Sequence, residues 1–210
     1  MEKKYKLVGY FMMLLLPLTF IAFYKSYFVS FPKFSSRIHT YDHIHAALAL
    51  IWILMLIIQP ILINNRKYEL HRKIGRLSYF IFPLLILSFL PREMVLYNSD
   101  TPEDLFFPVA DQVVLIPLYL LSIFNKKNAP KHMRYMIASS LVLLGPLVGR
   151  IGPKWFNWNG VFTQNIQYSI IYAVLISLII YDKNIRKSRP YFVAIGLFLL
   201  HQITFYLLFL

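Results

Sequence analysis

The stretch AALALIWILMLIIQPILI, residues 46–63, decides the fold class of this chain. It carries no charge, and its apolar residues run continuously instead of lining one helical face. A helix rises 1.5 Å per residue, so roughly 20 such residues cross the ~30 Å hydrocarbon core of a bilayer. Similar blocks recur along the chain. They predict an all-α integral membrane bundle, a single transmembrane domain over 1–210, with helices at about 8–24, 42–63, 72–91, 105–124, 132–152, 164–181 and 191–210.

Composition agrees. Of the 210 residues 58% are hydrophobic and 17% aromatic, with a mean hydropathy of +0.57; soluble domains sit near 45–50% apolar. The absence of cysteine excludes disulfides, zinc–thiolate sites, iron–sulfur clusters and thiol catalysis. The first block follows Lys3, Lys4 and Lys6 as a signal peptide would, but its apolar run is too long and Tyr24-Lys25-Ser26-Tyr27 offers no small-residue cleavage site. It is expected to be an uncleaved anchor.

Seven spans place the N-terminus and three alternate turns on one side. That side holds three lysines before the first span, five basic residues at Arg66–Arg76, four at Lys126–Arg134 and four at Lys183–Arg189, leaving six of the 22 for the other side. By the positive-inside rule the N-terminus is cytoplasmic and the C-terminus external. The net charge of +13 then faces anionic lipid headgroups, and a nucleic-acid partner is not needed. The expected location is a bacterial cytoplasmic membrane.

The basic turns resemble one another. Asn64 to His71 and Asn125 to His132 each begin with Asn where an apolar helix ends and reach His seven residues later; Asp182 to Arg189 keeps the spacing. This reads either as three parallel helical hairpins or as shared loop composition. Pro130 and Pro190 suit first turns of helices, while Pro17, Pro60, Pro83 and Pro146 fall inside apolar blocks and predict kinks.

Over about residues 42–152 the chain resembles a bacterial multi-pass membrane family known as domain of unknown function 2306. The resemblance is carried by His45, Gln59-Pro60, Leu70-His71-Arg72-Lys73-Ile74-Gly75-Arg76, His132-Met133-Arg134-Tyr135-Met136 and Arg150, with Tyr135 standing where that family's pattern has Trp. It implies a multi-pass fold and supplies no activity.

Ionisable groups inside spans need a reason, since one near mid-bilayer costs ~2.5–3.5 kcal/mol or more. One set gathers toward the external side: His43 and His45, Arg92 and Glu93, Asp111 and Gln112, Arg150, Gln164 and Gln167, and His201-Gln202. His43 and His45 point nearly opposite ways, and Asp42 with Gln59 favours His45 as the one facing the bundle. Asp111 and Arg150 are a candidate ion pair. A second set opens helices on the cytoplasmic side: His71 with Arg72, Gly75 and Arg76, and His132 with Arg134.

Three functions fit. His71 and His132 could be axial ligands of a b-type haem in a membrane electron carrier, with Gly75 admitting the flat ring and Arg72 or Arg76 meeting the propionates; His45 with His201 is a second pairing. Alternatively His45, Asp111 and His201 could ligate zinc in an intramembrane hydrolase, with Glu93 activating a water. The last helix lacks a second His four residues from His201, unlike the seven-helix zinc hydrolases. Third, Asp111, Gln112, Arg150, His201 and Gln202 could form a polar path in a transporter or a packing network in a structural subunit.

Overall fold

Every regular element among the described residues is a helix. The computed structural model describes residues 2–34 and 38–210, with the side chains of Lys3 and Pro102 excepted; Arg37 and the Lys3 side chain, both counted in the charge tally, lie outside this. The chain divides into two compact units, Met1–Pro102 and Glu103–Leu210.

The first unit holds α1 (Val8–Met12), α2 (Leu15–Tyr24), α3 (Thr40–Asn64), α4 (Tyr68–Leu87) and α5 (Leu90–Tyr97). The second holds α6 (Phe106–Phe124), α7 (Ala129–Ser140), α8 (Leu144–Phe156), α9 (Gly160–Asp182) and α10 (Ile185–Phe209). Among the described residues, six stretches are long and apolar enough to cross a membrane: 40–64, 68–97, 103–124, 129–156, 160–182 and 185–209. The first apolar segment, Val8–Tyr24, is shorter and interrupted.

Proline explains the interruptions. Pro17 has no N–H to offer the Met13 carbonyl, which accepts from Leu16 instead, and the gap between α1 and α2 falls there. Pro91 stands in the same relation to Leu87, where α4 gives way to α5, and Pro146 to Val142, inside the 3-10 turn Leu141–Leu143. Gly9 lets α1 lie against α3: a Cβ there would come 2.6 Å from Ile61 Cγ1 and 3.2 Å from the Ile57 carbonyl oxygen.

Helix starts lie earlier than apolarity alone suggests, because asparagines cap them. The Asn128 side chain accepts from the Lys131 N–H and starts α7 at Ala129, with Pro130 in its first turn as expected. Asn184 does the same for Lys187, so α10 starts at Ile185. Pro190 therefore lies inside α10; its expected place in a first turn is corrected by that cap.

The outer faces are apolar, as a bilayer requires. On α10, Leu199, Leu200, Ile203 and Leu207 are exposed, whereas Ala194, Phe198, His201 and Phe205 are buried at helical spacing. Bands of exposed large apolar residues on this pattern are foreign to water-facing proteins.

Candidate functional site: an aspartate, a histidine and a tyrosine between α6, α9 and α10

His201 sits on the buried stripe of α10, edge-on to Phe106 at 5.0 Å between ring centroids. Its Nδ1 is 2.8 Å from the Tyr168 hydroxyl, and its Nε2 faces Asp111 Oδ1 at 3.6 Å. The second distance is beyond a hydrogen bond and within reach of charge. Tyr168 reaches the ring because α9 buries Gln164, Gln167, Tyr168, Ile171 and Leu175 along one face. The His201 side chain is 2% exposed and that of Asp111 18%, so the carboxylate is the accessible member.

Asp111 is seated on Gly145 of α8. A Cβ at that glycine would lie 2.8 Å from Oδ2 and 3.0 Å from Oδ1. Arg150, one and a half turns further along α8, interacts with Asp111 through its charge, while its Nη1 donates to the Pro146 carbonyl at 3.1 Å. Gln112 donates to the Pro108 carbonyl of its own helix at 3.1 Å.

Beside this group runs a chain of hydrogen bonds with one direction. Tyr172 donates to Gln202 Oε1 (2.8 Å), Gln202 Nε2 to the Tyr206 hydroxyl (3.3 Å), Tyr206 to Asn165 Oδ1, and Asn165 Nδ2 to the Val161 carbonyl (3.0 Å). It knits α9 to α10 over seven residues, about 10 Å of helix rise. Interhelical bonds of this kind average ~0.6 kcal/mol each in membrane proteins.

In the first unit, His45 has its own setting. Ser88 donates its hydroxyl proton to the Leu85 carbonyl at 2.6 Å, so its oxygen accepts from His45 Nδ1 at 2.9 Å. His43 bonds the Tyr27 hydroxyl from the opposite face of α3. Burial, and then the Asp42 carboxylate, push the Tyr27 phenol above its ordinary range. Glu93 lies half-buried on α5.

At the basic turn, the Gln59 amide is oriented by two backbone groups: its nitrogen donates to the His71 carbonyl (3.2 Å) and its oxygen accepts from the Gly75 N–H (3.0 Å). The same nitrogen then donates to His71 Nδ1. With Nδ1 accepting, neutral His71 has Nε2 as its donor nitrogen. The Gln59 amide lies beside Gly75, 3.9 Å from where a Cβ would stand. Arg72 and Arg76 are exposed. In the second unit, His132 Nδ1 lies 3.0 Å from both the hydroxyl and the carbonyl oxygen of Ser122.

The chain matches no family model, no curated protein and no solved structure.

Among the described residues, no three His, Cys, Asp or Glu side chains gather as a metal site. The structure brings Asp111 and His201 together and gives His45, His71 and His132 separate partners. Two features escaped the sequence. Tyr168 was signalled only by its place on the Gln164–Gln167–Ile171 face. The second is a fully buried pair, Arg134 with Asp182, whose signal was one acid embedded in a basic turn.

Proposed function

We propose that this chain is a seven-span protein of a bacterial cytoplasmic membrane that binds and releases a proton at Asp111–His201–Tyr168. That puts it in the class of transport proteins, ahead of haem carriers and zinc hydrolases. The observation that carries the reading is a sealed histidine held between a carboxylate and a phenol in membrane-length helices. Intramembrane ionisable groups with such partners mark proton and substrate paths.

The site has two hydrogen-bonded forms. Without the extra proton, neutral His201 carries its hydrogen on Nε2, toward Asp111, and Nδ1 accepts from Tyr168; the Arg150 charge offsets the carboxylate. Adding a proton at Nδ1 makes an imidazolium that Asp111 balances, and Tyr168 turns from donor to acceptor. Asp111 faces a cation in both forms, Arg150 alone and then Arg150 with the imidazolium, so the site gains one positive charge with the proton. The hydrogen-bond change that goes with it is one hydroxyl rotation.

The remaining parts of the proposal rest on the sequence. The basic asymmetry supports a cytoplasmic N-terminus and an external C-terminus, with α1–α2 as the seventh span. A depression lined by Arg66, Lys67, Arg72 and Lys73 supports contact with anionic headgroups. Kinship with the 2306-type membrane family rests on the motifs quoted above.

Solid-state NMR of the protein in bilayers, with isotope-labelled histidine, tests the proposal. The ring nitrogens of residue 201, assigned by loss in His201→Gln, are expected to pass from neutral to imidazolium on acidification of the folded protein. A single neutral tautomer throughout the folded range would overturn it.

A further inference from the structure

Arg134 and Asp182 form a bidentate pair, Nε to Oδ2 and Nη2 to Oδ1, both at 2.7 Å, and neither side chain has any exposure. Arg134 also donates from Nη1 to the Pro130 carbonyl at 2.9 Å. The Ser188 hydroxyl lies 3.3 Å from Asp182 Oδ2 and 3.0 Å from the Asn184 carbonyl oxygen. One knot thus joins the first turns of α7, the last residue of α9 and the first turn of α10.

We infer that the second unit opens at this end by parting Arg134 from Asp182, so that the pair is a releasable latch. Three considerations support this. First, a well-packed apolar pair generally holds two helices as well as a buried ion pair or better, because it avoids desolvating charge. An ion pair has the advantage where the ends must also be stable apart. Second, this pair sits where separation reaches water: Lys183 to Lys187 on one side and Lys126 to Ala129 on the other are exposed. Third, the two donors of the knot each keep a bond when it parts. Arg134 retains Pro130, and Ser188, whose single proton serves two acceptors, retains the nearer Asn184. The inference does not depend on the proton reading.

The absence of cysteine makes the test direct. Ser188→Cys and Ser139→Cys place single thiols at two fully buried serines, the first in the knot and the second on α7 away from it. Both full-length proteins, folded in detergent, are treated with a water-soluble maleimide. If the latch parts locally, Ser188→Cys reacts at least ~10-fold faster than Ser139→Cys, which waits for wider unfolding. Adding Arg134→Met with Asp182→Leu should bring the Ser188→Cys rate down to that of Ser139→Cys, because the open state loses its hydration. Equal rates in the two single-cysteine proteins would overturn the inference, and so would an undiminished rate in the folded Met/Leu variant. Should the Met/Leu variant not fold, the comparison of the two single-cysteine proteins decides alone.

Discussion

Asp111 depends on a side chain that is missing opposite it. Because Gly145 offers no Cβ, the carboxylate lies against the backbone of α8 and so faces His201. Gly145→Ala should destabilise the protein by about 1–3 kcal/mol, the usual cost of overpacking. In an Asp111→Ala background the same change should cost much less, since the displaced atoms are gone. Thermal melts of the four proteins in detergent measure the difference, and additive effects would mean that Asp111 does not occupy that seat. Tyr168→Phe leaves the buried Nδ1 of His201 without its hydroxyl partner. It should destabilise the protein by about 1–3 kcal/mol in the same melts. An unchanged melt would separate Tyr168 from His201.

At the ends of helices the same economy recurs in different residues. Gln59 with His71, Ser122 with His132, and Asp182 with Ser188 each tie the end of one helix to the start of the next across a basic turn. The spacing repeat from Asn64 and Asn125 to their histidines thus has a physical counterpart, since seven residues bring each ring back beside the preceding helix. Gln59→Ala and His71→Ala should be non-additive, with a coupling of about 1 kcal/mol, the net worth of one such hydrogen bond. Full additivity in a double-mutant cycle would mean the two side chains act independently. The apolar segments, by contrast, are divided by prolines, and each break falls where a carbonyl four residues earlier loses its donor.

For the molecule as a membrane protein, orientation and colour are the informative measurements. Reporter fusions in the turn between α6 and α7 should read cytoplasmic, and fusions after Leu210 external; the reverse pattern would overturn the positive-inside assignment. Protein purified from haem-sufficient cells should be colourless, because His71 is bonded to Gln59 and His132 to Ser122, each within its own unit. A reduced Soret band abolished by both His71→Ala and His132→Ala would return the electron-carrier reading to first place.

The all-helical class and the six long apolar spans were legible in apolar blocks, because a bilayer demands long runs with every backbone group bonded internally, a condition visible residue by residue. His201 and Asp111 stood out for the same reason, as groups a membrane should not hold unpartnered. Helix ends were less legible: Asn128 and Asn184 start α7 and α10 in polar sequence, where hydropathy has no voice. Partner choice was not legible at all. His201 meets Tyr168 from 33 residues away and Arg134 meets Asp182 from 48, pairings set by how α7, α9 and α10 pack. Nothing in a linear pattern says which of many tyrosines will face a histidine, or that one acid in a basic turn will be drawn inside. Those contacts follow from the rotation and register of each helix, which only the packed bundle selects.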